Sequence, residues 1–154
     1  MLDRIVKVFM PASVNLQSEV SEIVFNGQES HIEFYNGSRI FVATANDNAR
    51  HYRATMLLCD EFVKMDPTII DTVLKKFLSE IRSPKYLEKA EYSHLKERSR
   101  ELYASSCWYE SHWSFEKAIT YLKNLLEGRS YAMCALPYQL PIKEGLLIRE
   151  QVED

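Results

Sequence analysis

Between Cys107 and Trp113 the chain sets a thiol, a carboxylate and an imidazole among aromatic rings, in the order Cys107-Trp108-Tyr109-Glu110-Ser111-His112-Trp113. An imidazole near a thiol can hold the thiolate, which is the form that attacks carbon. Cys107 and His112 are therefore the pair on which an enzyme reading would rest, completed by Glu33 or His31 from a distant part of the chain. Catalytic Cys and His usually come together only through the fold, and no local cysteine-hydrolase signature surrounds Cys107. A helix connection anchored by two tryptophans, with Ser111 or Ser114 as the cap of the next helix, explains the same letters. No catalytic residue is assigned, and the enzyme reading stands as an alternative.

The other reactive side chains are scattered. His31, His51, His94 and His112 show no HExxH spacing, and Cys59, Cys107 and Cys134 form no CxxC pair. No metal or cofactor is expected from these spacings. Three widely spaced cysteines fit reduced, mostly buried thiols. Ser93 to Lys96 and Ser114 to Lys117 match Ser-x-x-Lys, but without the companion motifs that serine acyl-enzymes require. Arg50 and Arg53 follow Asn46 and Asp47 where a helix is expected to begin, so an anion contact there competes with simple capping by Asn46 or Asp47.

Cations gather at Arg82, Lys85, Lys89, Lys96, Arg98 and Arg100, with Tyr86, Tyr92 and Tyr103 between them. Tyrosine beside cations is how single-stranded nucleic acid is gripped. Glu88, Glu91, Glu97 and Glu101 interleave with the same cations, which describes a solvated helix face better. The formal charge of -3 adds no basic field. A nucleic-acid-binding module built on a helix expected from Lys85 to Ala104, the third of the chain, ranks below a protein-binding one.

The elements that must carry these residues begin with a hairpin. Ile32, Glu33, Phe34 and Tyr35 precede Asn36-Gly37, and Arg39, Ile40, Phe41 and Val42 follow it. Asn-Gly suits the left-handed backbone of a tight turn. Ile5, Val6, Val8 and Phe9 predict a first strand, and Val20, Ile23, Val24 and Phe25 a second that ends at Asn26-Gly27. Three or four strands this close predict an antiparallel meander.

A helical block is expected from Asn46 to about Gly128. Ala49, Tyr52, Met56, Cys59 and Val63 form the stripe of its first helix. Asp66-Pro67 starts a second, the most buried, through Ile70, Val73, Leu74, Phe77, Leu78 and Ile81. Ser83-Pro84 starts a third, from Lys85 to Ala104. The fourth carries Phe115, Ala118, Ile119, Leu122, Leu125 and Leu126, with Gly128 at its C-cap. Tyr131 to Leu136 and Gly145 to Val152 predict short C-terminal strands. The fold class is α+β: a meander, a four-helix block and those strands, in one domain over residues 1–154.

A chain of 154 residues can build a core without disulfides or metal. Its 46% hydrophobic and 27% charged residues are ordinary for a soluble globular protein, and together with a charged start the expected compartment is the cytoplasm. The start, with Asp3, Arg4 and Lys7, is too charged for a signal-peptide core, and no apolar run is long enough for a membrane helix, so no membrane partner is expected. Mixed charge, abundant aromatics (Tyr 9, Phe 7) and missing reactive constellations point to a non-catalytic protein-interaction module: an adaptor, regulator or inhibitor. Compact, motif-poor, mildly acidic chains of this kind are common among phage and mobile-element accessory proteins, including inhibitors of bacterial defence such as CRISPR systems. Tyr86, Tyr92, Arg98, Trp108, Tyr109 and Trp113 are the expected partner contacts. The same surface would serve a homodimer.

Overall fold

The structure, a computed structural model, describes residues 2–26, 30–81 and 85–151. The chain is a mixed α+β protein with a three-stranded antiparallel sheet, and it falls into two compact units, residues 1–104 and 105–154. Among the described residues no helix is long and apolar enough to cross a membrane.

The first unit opens with helical turns, not with the expected strand at Ile5 to Phe9. They run through α1 (Leu2–Arg4), a π-helical stretch (Ile5–Phe9), α2 (Met10–Ala12) and α3 (Val14–Glu19). Leu2, Ile5, Val6, Phe9 and Met10 recur at helical spacing, and that period outweighs the β-branched composition. Leu2 and Met10 are buried. Ser13 caps α3, its Oγ accepting from the Leu16 N–H at 3.3 Å.

The expected meander follows, with three strands: β1 (Val20–Val24), β2 (Ser30–Phe34) and β3 (Arg39–Val42), in the order β1-β2-β3. The β2–β3 hairpin turns at Asn36-Gly37 as anticipated. The Gly37 N–H donates to the Phe34 carbonyl at 2.8 Å, and Gly37 takes the left-handed backbone at φ 81. The Asn36 side chain accepts from the Ser38 N–H at 2.9 Å, so glycine supplies the backbone and asparagine the brace. Ile32 is fully buried at the centre of β2. The turn anticipated at Asn26-Gly27 includes Gly27, outside the described residues.

The four-helix block is the main correction. Where a first helix was expected over Ala49 to Val63, a 3-10 turn (Asp47–His51) leads into strand β4 (Met56–Asp60). Within β4, Leu57 and Cys59 are buried while Met56 and Leu58 are exposed, a period of two. In place of a third helix from Lys85 to Ala104 stand 3-10 turns (Lys85–Glu88 and Ala90–Leu95) and strand β5 (Arg100–Ala104). Its anticipated start at Ser83-Pro84 lies outside the described residues. Strands β4 and β5 pair in parallel, Met56 opposite Arg100 and Asp60 opposite Ala104. Parallel strands need a long crossover, and residues 61–99 provide it.

The second expected helix is present and shortened. Asp66 caps α4 (Pro67–Thr72), its side chain accepting from the Thr68 N–H at 2.7 Å. A 3-10 stretch (Leu74–Ser79) continues it. Ile70, Val73, Leu74 and Phe77 join Ile32, Cys59, Leu57 and Val63 in the core as anticipated, but Leu78 is only half-buried and Ile81, past the end of the 3-10 stretch, is exposed. Tyr52 stacks on Phe41 at 5.0 Å and meets Phe77 edge-on at 5.9 Å, tying the meander to that helical layer.

The second unit is built on α5 (Trp113–Leu126), the fourth helix of the sequence pattern. Gly128, at φ 74, ends it in a Schellman motif: the Arg129 N–H donates to the Asn124 carbonyl and the Gly128 N–H to the Leu125 carbonyl, both at 3.0 Å. The expected C-terminal strands are absent among the described residues. Residues 131–137 are irregular, then come α6 (Gln139–Lys143) and a 3-10 turn (Arg149–Gln151), while Val152 lies outside the described residues. Tyr131 meets Tyr121 edge-on at 4.9 Å, folding the irregular run back onto α5.

Candidate functional site

His112 is the N-cap of α5. Its Nδ1 lies 2.8 Å from Ser114 Oγ and accepts from the Ser114 N–H at 3.4 Å. The imidazole is thus engaged with the helix start, the role expected of Ser111 or Ser114. Cys107 is exposed and makes no hydrogen bond among the described residues. Cys134 is exposed too, and only Cys59 is a buried thiol, which corrects the expectation of mostly buried cysteines.

The aromatic run becomes a chain of ring contacts. Trp108 meets Tyr109 edge-on at 5.7 Å and His112 at 6.3 Å, and His112 meets Trp113 at 5.5 Å. Trp108 and Tyr109 are exposed while Trp113 is half-buried. Around them the second unit buries no apolar side chain among its described residues; Ser114 alone is buried. Phe115, Leu122, Leu125 and Leu126 of α5 are exposed, and so are Leu136, Leu146, Leu147 and Ile148.

In the first unit Tyr86 and Tyr92 meet edge-on at 6.1 Å, both partly open to solvent. Arg98 lines a shallow hollow of about 210 Å³ with Thr55, Met56, Glu97 and Arg100. That volume is below the range of small-molecule pockets, roughly 300 Å³ and more. The cations from Lys89 to Arg100 have no common helix to stand on, since 3-10 turns, an extended link and β5 divide them. Glu97 pairs with Arg100 at 3.6 Å, and the Tyr103 hydroxyl donates to Glu101 at 2.5 Å.

Arg50 and Arg53 are turned onto neighbouring chain atoms. Arg50 pairs with Asp47 at 2.6 Å, and Arg53 donates to the Tyr52 and Arg50 carbonyls at 2.7 and 3.1 Å. The capping reading holds here: the Asn46 side chain accepts from the Asn48 N–H at 3.0 Å.

Two groupings escaped the sequence reading. On the meander, Glu22, His31 and Glu33 bring ligand-capable atoms within 4.8 Å of one another. The alternation of His31 and Glu33 along a strand was visible, but Glu22 joins them only through the β1–β2 register. On the parallel pair, Met56, Leu58 and Leu102 are exposed, with Leu58 directly opposite Leu102. Parallel sheets are normally covered on both faces; in the sequence Met56 reads as part of a helix stripe and residues 85–104 as a helix, and that period hid the open face.

Comparison with known proteins finds no family model, no curated protein and no solved structure that matches the chain.

Proposed function

We propose that the protein is a non-catalytic interaction module, a small cytosolic adaptor, regulator or inhibitor that works by occupying a partner protein's surface. The observation that carries this reading is the uncovered apolar side of the second unit. A helix of 14 residues is marginal in water by itself, and helices in proteins draw most of their stability from packing an apolar face. In α5 that face keeps Phe115, Leu122 and Leu125 partly open, at 41%, 38% and 37%, and Leu126 fully so at 78%, while Ala118 and Ile119 are half-buried. A side chain taken from full exposure to full burial gains about 1.5–3 kcal/mol; Leu126 would recover most of that in a partner's groove and the three partly open side chains a fraction each.

Exposed Trp108 and Tyr109, with Trp113 beside them, add flat area whose ordering costs little entropy. Tyr86, Tyr92 and Arg98 are the contacts proposed on the first unit.

The test is affinity capture of the tagged full chain from its host. The expected result is one stoichiometric protein partner that is lost with Leu122→Asp/Leu125→Asp and weakened with Trp108→Ala/Trp113→Ala. Undiminished capture by both double variants, at unchanged helix content by circular dichroism, would remove this surface from the proposal. Sedimentation of the purified chain separates a second copy from a foreign partner.

A further inference from the structure

On the meander, two carboxylates and an imidazole share one face. His31 and Glu33 stand two positions apart on β2, so their side chains leave the sheet on the same side. Glu22 of β1 lies directly opposite Glu33. That placement depends on the register irregularity between Val20 and Glu22. Ser21 beside it donates its hydroxyl to the Glu33 carbonyl at 3.1 Å. Glu22 is exposed, while His31 and Glu33 are half-buried.

Like charges directly opposite on neighbouring strands destabilise a sheet. Arg39 relieves part of that repulsion: its Nε and Nη2 both reach the Glu33 Oε2 at 2.7 Å. Among the described residues, the second oxygen of Glu33, the Glu22 carboxylate and the His31 ring remain to meet a cation. We infer that Glu22, His31 and Glu33 form a binding site for a divalent transition metal, zinc being the best match, with Arg39 as the outer residue that orients Glu33.

The chemistry of the donors selects the ion. One imidazole nitrogen with two carboxylate oxygens suits zinc and its neighbours; magnesium and calcium favour oxygen-only shells, and copper(I) favours sulfur. Three protein ligands leave a coordination position for water, as in sites that are not sealed. Ligand atoms around tetrahedral zinc stand about 3.3 Å apart, given metal–ligand distances near 2.0–2.2 Å. From the present spacing of up to 4.8 Å the ligand atoms must draw in by about 1.5 Å to share one ion. A hydrogen bond from outside onto a ligating carboxylate, as Arg39 makes, is the usual support for such a site.

Zinc titration of the full chain against a chromophoric chelator, with cobalt(II) as the optical reporter, tests this. The expected result is one equivalent bound at micromolar affinity or tighter, weakened at least tenfold by His31→Gln and again by Glu22→Gln. Cys107→Ser/Cys134→Ser should leave the affinity unchanged, and the cobalt spectrum should lack a thiolate charge-transfer band. Equal affinity in the wild type, His31→Gln and Glu22→Gln would overturn the inference, as would a site lost with the two cysteines or no binding at all. Circular dichroism of each variant confirms the fold, and Glu22, being exposed, can be changed without disturbing the core.

Discussion

At the scale of single residues, the backbone conformations that side chains resist are the sharpest handles. Glu61 holds a left-handed backbone at φ 49, the only non-glycine with positive φ among the described residues. It sits where β4 turns into a 3-10 turn (Phe62–Lys64), and its own N–H donates to the Asp60 side chain at 3.1 Å. Its ion pair with Lys64, at 2.7 Å, is well exposed and contributes little. Glu61→Gly should therefore raise stability, by about 0.5–1 kcal/mol, as read by urea unfolding. Gly128 is the mirror case. Nothing lies within 4 Å of a Cβ added there, so Gly128→Ala meets only the backbone penalty of φ 74. A loss of about 1 kcal/mol is expected, seen as fraying of α5. A larger loss would mean that the chain packs against this glycine, contrary to the open space around it.

At the scale of elements, what was legible depended on whether a local signal had a rival. Asn36-Gly37, Asp66-Pro67 and Gly128 are turn and cap chemistry, decided by a few neighbouring atoms, and all three appear where the letters put them. Met56 to Asp60 is a short apolar run that fits a helix stripe or a buried strand equally well, and its parallel partner lies about forty positions away in β5. Nothing local encodes that pairing. At the N-terminus two local signals compete: Ile5, Val6, Val8 and Phe9 carry β-propensity, while Leu2, Ile5, Val6, Phe9 and Met10 keep helical time, and the helical period prevails. Of the candidate sites, His31 and Glu33 were readable as one strand face, but Glu22 required the register. The hairpin also gives a test of the opposite face, the one Ile32 and Ile40 occupy. Ile32 is fully buried and its β3 partner Ile40 is exposed. Ile32→Ala should cost about 2–5 kcal/mol in urea unfolding, whereas Ile40→Ala should stay within about 1 kcal/mol.

For the whole molecule, the decisive contrast is in how the two units are stabilised. Residues 1–104 hold a conventional core around Ile32, Cys59, Ile70 and Val73; the described part of residues 105–154 buries no apolar side chain. Burial is the dominant favourable term in folding, so the two units must respond differently to the same chemical insult. Ile70→Ala should lower the unfolding free energy of the first unit by about 2–5 kcal/mol. Leu126→Lys and Leu146→Lys, at positions 78% and 77% exposed, should each change stability by no more than about 0.5 kcal/mol. If the exposed side of α5 is an interface, Leu126→Lys should abolish complex formation. A bound partner should also raise the apparent stability of the wild type alone, by about 2.7 kcal/mol at a hundredfold excess over Kd. Stability that falls with Leu126→Lys in the isolated chain would show this side already at work inside the fold, and the interaction reading would lose its main support.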